Sequence, residues 1–237
     1  MSDQAWAIVP AAGQGVRFGG DVPKQYLRAA GQPLLAHALD AVLADPRVAG
    51  AVVALAQDDS RWPGWTKRNG KPVIACVGGA ERADSVLAAL DALPDGVAAD
   101  ALLLVHDAAR PLLDPDDLAR LIDAAFACDD GALLAAPVRD TLKRGGPGGQ
   151  VAATESRDGL WRAFTPQAFR RDLLHDALTR ARADGVVATD EAMAVERLGR
   201  HPRLVEGRDD NLKVTTPADL DLANHLLAAR AAGRTSG

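Results

Sequence analysis

Residues 7–25, with the sequence AIVPAAGQGVRFGGDVPKQ, combine residue types that suit phosphate binding. The glycines in this stretch have no Cβ, so the backbone can turn sharply and bring its N–H groups close to an anion. Arg17 and Lys24 add two positive charges to the same loop. Backbone donors beside two cations indicate a site for several phosphates, and a plain glycine-rich turn is the alternative. The glycines concerned are Gly13, Gly15, Gly19 and Gly20.

The spacing within this loop differs from two common nucleotide-binding motifs. The Gly-Lys-Ser/Thr of a P-loop does not follow the glycines. In a dinucleotide fingerprint a third glycine and a long helix should follow, but Gly19 comes one residue too late and Pro23 interrupts the helix. A dehydrogenase would also need an acidic residue after the second strand, for which Asp58 or Asp59 is available. The glycine spacing and Lys24 argue against that function.

Composition narrows the class of protein. A chain of 237 residues is long enough for one large domain, and we see no separate second domain. The net charge of -5 argues against a nucleic-acid binder. The first residues lack the pattern of a signal peptide, and no apolar run approaches about 18 residues. We therefore expect a cytoplasmic protein without membrane association, in which Cys76 and Cys128 are buried structural thiols.

Continuous apolar runs alternate with amphipathic patterns along most of the chain. This alternation predicts an α/β fold, a Rossmann-like and mostly parallel sheet with helices on both faces. The predicted strands are 6–10, 51–56, 73–77, 101–105, 132–138 and 203–205, and the predicted helices 33–43, 82–93, 115–128, 169–183, 191–198 and 217–229. Residues 231–237 are expected to be a disordered tail. In such sheets ligands bind at the carboxyl ends of the strands.

Two stretches at these strand ends carry further candidate residues. The first, GGAERADSV at 78–86, places two glycines, Arg82 and Ser85 where a strand meets a helix. The second, HDAARP at 106–111, places Asp107 directly after a buried strand, where a carboxylate is costly unless it has a partner. Magnesium held beside phosphates is one such partner, and capping of the next turn is the alternative. His106 is expected to be structural, because an ionised phosphate needs no general base.

The α/β pattern breaks after residue 138. Two strand-like stretches flank the turn GGPGG at 145–149, which predicts a hairpin that leaves the main body. Farther along, Arg157 and Lys213 add cations, with Arg110 before them. Thr189-Asp190-Glu191 is on its face a helix cap, and Asp210 with Lys213 is on its face a solvated pair. The cations, the loop and the acidic residue together indicate a site for a nucleoside triphosphate and a second anionic substrate.

These motifs together resemble the 2-C-methyl-D-erythritol 4-phosphate cytidylyltransferases of the non-mevalonate isoprenoid pathway. The resemblance extends from residue 7 to about 226, with every motif in the same order. Ala80 is a departure, because relatives often carry Asp after the glycine pair. The motifs are PAAGQGVRF, PKQY, GGAERADSV, VHDAARP, APVRDTLKR, LWRAFTPQAF, TDEA and VEGRDDNLKVTTPADL.

The resemblance implies a reaction of CTP with methylerythritol phosphate, dependent on Mg²⁺. Arg17 and Lys24 would stabilise the α-phosphate, and Arg157 and Lys213 would orient the attacking phosphate. Asp107 would bind the metal or the substrate hydroxyls. The remaining second-substrate residues would be Arg110, Thr141, Thr165 and Thr189, and the nucleotide-binding residues Pro10, Ala11, Ala12, Gly13, Gly15, Gly79, Arg82 and Ser85.

The resemblance also implies a homodimer whose interlocked arms are residues 138–158. Ribitol-5-phosphate cytidylyltransferases resemble the chain in the same loops and remain an alternative. From another class, a nucleotide-binding module without chemistry also remains open.

Overall fold

The structure is a computed structural model that describes residues 4–13 and 22–234. The described strands are β1 Ala5–Ala11, β2 Arg28–Ala29, β3 Gln32–Pro33, β4 Val48–Leu55, β5 Lys67–Arg68, β6 Lys71–Val77, β7 Leu102–Val105, β8 Ala132–Pro137, β9 Leu142–Gly145, β10 Val151–Glu155, β11 Trp161–Arg170 and β12 Arg203–Glu206. Eight of them form one sheet in the order β12-β8-β11-β7-β1-β4-β6-β5. The helices are α1 Leu34–Val42, α2 Arg82–Asp91, α3 Pro115–Phe126, α4 Arg171–Ala183, α5 Glu191–Glu196 and α6 Pro217–Arg234.

The sheet is mostly parallel, as predicted. β1 pairs in parallel with β4 and β7, β4 with β6, and β8 with β12. β11 lies between β7 and β8 and is antiparallel to both. The sequence did not predict this strand, and the helix expected from residue 169 begins at Arg171. Arg162 and the run Thr165, Pro166 and Gln167 interrupt the apolar residues of β11, which hides the strand from a pattern-based prediction.

Helices cover both faces of the sheet, which confirms the predicted architecture. One face packs on α1 and α3, where Leu39 and Leu121 are fully buried. The other face packs on α2, α4 and α5, where Leu90 and Leu178 are buried. Successive residues of a strand point to opposite faces, and every residue from Ala5 to Val9 is buried. This two-sided burial accounts for continuous apolar runs in place of alternating ones.

Parallel strands bring three loops to one edge of the sheet. The backbone N–H of His106, just after β7, donates to the carbonyl of Ile8 in β1 at 2.9 Å. The N–H of Gly78, just after β6, donates to the carbonyl of Leu55 at the end of β4 at 2.7 Å. The loops that follow β1, β6 and β7 therefore lie together, as the sequence predicted.

β9 and β10 form an antiparallel hairpin that is a sheet of its own within the described residues. This observation confirms the predicted hairpin; its role in a dimer stays a prediction. We call residues 138–158 the arm. The last helix, α6, continues to Arg234, past the expected end near residue 229.

The two cysteines are free thiols, as expected, but both are only half-buried, so the expectation that they are buried was wrong. Cys76 lies on β6, whose only outer neighbour is the two-residue strand β5 in the described sheet, and this short strand leaves β6 partly uncovered. Partial burial raises the pKa of the Cys76 thiol.

Candidate active site

A cavity of about 250 Å³ lies at the edge where the three loops meet. Its wall includes residues from the end of β1, the start of α2, the loop after β7 and the segment before α6. Ten of the residues predicted from the sequence line it: Pro10, Ala11, Ala12, Gly13, Lys24, Gly79, Arg82, Ser85, Asp107 and Lys213. Gly15 and Arg17 lie outside the described residues.

The glycine pair after β6 allows α2 to approach the end of β1. A Cβ on Gly79 would lie 2.3 Å from the Cβ of Asp84, and one on Gly78 would lie 2.7 Å from the Cβ of Ala12. The N–H of Gly79 donates to Oγ of Ser85 at 3.2 Å. Only a residue without a side chain fits at these positions, so the first turn of α2 becomes part of the cavity wall.

The short segment that carries Lys24 is anchored by the side chains of the two residues that follow it. It begins a short 3₁₀ helix, Lys24–Tyr26. Nε2 of the buried Gln25 donates to the carbonyl of Ala11 at 2.7 Å, and the hydroxyl of Tyr26 donates to Oδ2 of Asp59 at 2.7 Å. The first bond attaches the segment to the end of β1, and the second attaches it to the loop after β4. Gln25 was not predicted as a site residue, and its only signal in the sequence is a polar side chain beside the glycine-rich loop.

Asp107 is buried and contacts three cations. Its Oδ1 lies 3.1 Å from Nε of Arg82, and its Oδ2 lies 2.8 Å from Nζ of Lys213 and 3.6 Å from Nε of Arg110. Although burial by itself raises the pKa of Asp107, the charges of Arg82, Lys213 and Arg110 lower it well below its usual value. The carboxylate is therefore ionised at neutral pH.

Thr165 and His106 form a buried hydrogen-bonded network with the backbone of Asp107. The backbone N–H of Asp107 donates to Oγ1 of Thr165 at 3.0 Å, and this Oγ1 lies 3.0 Å from Nδ1 of His106. Nε2 of His106 lies 3.0 Å from the carbonyl of Arg110. Burial lowers the pKa of His106 to about 4, so the ring is neutral. A proton on Nε2 satisfies the carbonyl, and Nδ1 then accepts from Thr165. This arrangement supports the structural role expected for His106.

Glu191 was missed as a site residue. Asp190 caps α5, as expected, since its Oδ1 accepts from the N–H of Met193 at 2.9 Å. Glu191 instead points inward and is fully buried against Arg82, whose Nη1 and Nη2 lie 2.5 and 3.1 Å from the two carboxylate oxygens. Burial raises the pKa of Glu191, and the charge of Arg82 offsets part of that rise.

The other predicted second-substrate residues lie outside the described cavity wall. Arg110 is buried beneath Asp107, and its Nη1 donates to the carbonyl of Asn211 at 2.6 Å. Thr141 and Thr189 are exposed. Arg157 is exposed in the arm, where its Nη1 donates to the carbonyl of Arg139 near the start of the arm.

The donor set for a metal is small. No group of three or more His, Cys, Asp or Glu side chains suited to a metal occurs among residues 4–13 and 22–234. Asp107 is one carboxylate in the cavity wall. Mg²⁺ often uses one or two carboxylates together with the substrate's phosphates. The residues present therefore fit a magnesium ion that is held largely by a nucleotide.

The family model for 2-C-methyl-D-erythritol 4-phosphate cytidylyltransferase (IspD) matches residues 5–229. The chain belongs to this family. A relative from Stenotrophomonas maltophilia (strain K279a), named 2-C-methyl-D-erythritol 4-phosphate cytidylyltransferase, is 61% identical over 98% of this chain and 100% of its own length. One of the same name from Xanthomonas campestris pv. campestris (strain 8004) is 62% identical over 100% of this chain and 89% of its own. These matches identify the chain as a cytidylyltransferase.

Solved structures of the same family share the fold. The structure of 2-C-methyl-D-erythritol 4-phosphate cytidylyltransferase from Francisella tularensis matches with a TM-score of 0.80 and 32% identity, covering 94% of this chain and 99% of that one. The one from Thermus thermophilus matches with a TM-score of 0.76 and 34% identity, covering 94% and 98%. None of the helices in the described part of the chain is long and apolar enough to cross a bilayer.

Proposed function

We infer that this cytidylyltransferase transfers the cytidylyl group of CTP to 2-C-methyl-D-erythritol 4-phosphate and releases pyrophosphate. The family and the relatives support this substrate over ribitol 5-phosphate. The observation that carries the inference is the cavity at the end of β1, where Lys24, Lys213 and Asp107 share one wall with the glycines of two loops. The product is 4-diphosphocytidyl-2-C-methyl-D-erythritol.

The reaction needs positioning and neutralised charge more than proton transfer. A 4-phosphate oxygen attacks the α-phosphorus of CTP, a new P–O bond forms, and the bond to pyrophosphate breaks in line. An ionised phosphate attacks without a general base, which agrees with the neutral, buried His106. Lys24 lies in the cavity wall and would stabilise the charge that grows on the α-phosphate, together with Arg17.

The nucleotide would occupy the side of the cavity formed by β1 and α2. The backbone of Ala11, Ala12 and Gly13 would face the phosphates, and Gly79 and Ser85 the cytidine. Ala80 also lines this wall and has no polar side chain. Hydrogen bonds to the base at this position would therefore come from the backbone. The selection of cytosine rests on the family.

The second substrate would occupy the side formed by Asp107 and Lys213. Lys213 would orient the attacking phosphate, and Arg157 would complete this from the neighbouring subunit's arm. Support for the neighbour's role comes from the position of Arg157, which is exposed in the arm and does not line the described cavity of its own chain. Arg110, Thr141, Thr165 and Thr189 would complete the binding region for the methylerythritol chain.

The proposed enzyme also needs a metal ion, a second subunit and a cellular location. Asp107 would be the protein ligand of Mg²⁺, which when bound would neutralise charge on the phosphates. The protein would be a homodimer joined through the arm, because an isolated two-stranded hairpin is marginally stable in water. It would work in the cytoplasm.

The experiment that tests the function is pyrophosphate release from CTP and Mg²⁺ with each polyol phosphate in turn. We expect release with 2-C-methyl-D-erythritol 4-phosphate and much slower release with ribitol 5-phosphate. Equal or faster release with ribitol 5-phosphate would reverse the assignment. Release that needs neither acceptor would indicate simple CTP hydrolysis.

A further inference from the structure

Glu191 is a carboxylate with no exposed surface. It begins α5, and residues that follow it on this helix, Ala192, Ala194 and Val195, belong to the core. A buried carboxylate without a partner is strongly destabilising, and even a paired one often adds little net stability. Stability of the core alone therefore does not account for an acid at this position.

The partner of Glu191 is the guanidinium of Arg82, which is held at both ends. Nη1 and Nη2 contact the two oxygens of Glu191 at 2.5 and 3.1 Å. Nε, on the other edge of the same plane, lies 3.1 Å from Oδ1 of Asp107. A guanidinium is planar and its donors form a rigid fork, so these three contacts leave it one orientation.

This orientation determines which carboxylate oxygen of Asp107 Arg82 contacts and which one Lys213 contacts. Arg82 contacts Oδ1, and Lys213 contacts Oδ2 at 2.8 Å. The four side chains form a row of alternating charge, Glu191–Arg82–Asp107–Lys213, that joins α5, α2, the loop after β7 and the segment before α6. Arg82, Asp107 and Lys213 border the cavity, whereas Glu191 lies behind them.

We propose that Glu191 is a positioning residue for cytidylyl transfer, acting through Arg82. The proposal rests on the proposed function. Glu191 holds two nitrogens of Arg82 away from the cavity, so that Arg82 offers Asp107 only Nε. Without the charge of Glu191, the fork of Arg82 turns towards Asp107 and engages both of its oxygens. Lys213 then loses its contact with Oδ2 and its position beside the attacking phosphate.

The first test is Glu191→Gln, which keeps the shape and removes the charge. We expect kcat for pyrophosphate release from CTP and 2-C-methyl-D-erythritol 4-phosphate to fall about tenfold or more, as misplacement of reacting groups does. KM for CTP should change less than kcat. Glu196→Gln is the matched control, because Glu196 is an exposed glutamate on the same helix. A wild-type kcat in Glu191→Gln would overturn the proposal.

A double-mutant cycle separates positioning from a purely structural role. If Glu191 acts through Arg82, Glu191→Gln should lower kcat in the wild-type background and have little further effect in the Arg82→Met background. The same fold-loss in both backgrounds would overturn the proposal. The melting temperature of each variant should be measured, and kcat should be measured well below that temperature. A fall in kcat under these conditions then reflects misplaced side chains and not unfolded protein.

Arg82→Lys provides a second route if the buried glutamine prevents folding. It keeps a cation beside Glu191 but cannot contact both carboxylates as a fork does. We expect a loss in kcat of the same order, and wild-type turnover in this variant would contradict the proposal. An inactive wild-type enzyme would instead contradict the proposed function, so the two failures are distinct.

Discussion

Nζ of Lys213 lies 2.8 Å from Oδ2 of Asp107, although the two residues are far apart in the chain. Their contact joins the loop after β7 to the segment before α6 at the wall of the cavity. Arg82 and Arg110 approach the same carboxylate from α2 and from beneath. One buried carboxylate thereby holds three cations at one end of the sheet, where they can attract phosphate groups.

Lys24→Ala should lower turnover about a hundredfold or more, the usual cost of losing a group that neutralises transition-state charge. The fold and much of the CTP affinity should remain, because Gln25 and Tyr26 still attach the segment to the body. Steady-state kinetics and CTP titration measure the two effects. Lys67→Ala, at the exposed edge strand β5, is the control. Intact turnover in Lys24→Ala would remove Lys24 from the catalytic residues.

Asp107→Asn should weaken the apparent affinity for Mg²⁺, because a hard divalent cation prefers a charged carboxylate. Titration of activity with Mg²⁺ measures the change, and calorimetric binding of CTP with and without Mg²⁺ gives a second readout. In the folded enzyme this variant also weakens the contact with Lys213, because the amide carries no charge. An unchanged Mg²⁺ dependence would assign Asp107 to the substrate hydroxyls in place of the metal.

Arg157→Ala and Lys24→Ala subunits should complement each other if Arg157 acts in the neighbouring subunit's site. A mixed dimer would contain one site with both residues intact and one with neither. Random pairing makes about half of the dimers mixed, so joint refolding of the two variants should recover roughly a quarter of wild-type activity.

The matched control for this experiment pairs Lys24→Ala with Lys213→Ala. Lys24 and Lys213 line the same cavity of one chain, so these variants should not complement each other. If mass measurements confirm mixed dimers of the Arg157→Ala and Lys24→Ala chains and no activity returns, Arg157 does not act in trans.

Gly79→Ala should displace the first turn of α2. The added Cβ would lie 2.3 Å from the Cβ of Asp84, so the two segments must separate. We expect a loss of about 1–3 kcal/mol in the free energy of unfolding, typical of overpacking, together with weaker CTP binding. Denaturant unfolding and CTP titration measure these effects. Gly96→Ala is the control, since a Cβ there meets nothing within 4 Å, and equal effects in both variants would count against the packing argument.

The stability of the protein should fall as pH drops from about 6.5 to about 4. Burial lowers the pKa of His106 from 6.5 to about 4, so in this range the unfolded chain binds a proton that the folded protein excludes. The slope from this group approaches about 1.4 kcal/mol per pH unit. Glu191 contributes with the opposite sign, because burial raises its pKa and the folded protein binds its proton more readily.

The comparison of wild type with His106→Gln isolates the histidine. The free energy of unfolding of the variant should depend less on pH between about 4 and 6.5 than that of the wild type. Parallel pH profiles for the two proteins would show that His106 does not titrate in this way.

The sequence by itself was enough to predict the α/β fold class and ten of the residues that line the cavity. The strand–loop–helix pattern placed the loops after β1, β6 and β7 at one edge, and Gly78 and Gly79 marked the junction between a strand and α2. The hairpin followed from a glycine-rich turn between two short strands. These features are local, because apolar periodicity and glycine act over a few neighbouring residues.

The tertiary structure alone decided which distant side chains meet. β11 enters the sheet between β7 and β8, and it brings Thr165 against His106 and Asp107. Asp190 and Glu191 are adjacent acids, yet one caps a helix and the other is buried against Arg82. No local pattern separates such neighbours. Their difference comes from the packing of α5 on α4, which leaves one carboxylate at the helix end and buries the other against Arg82.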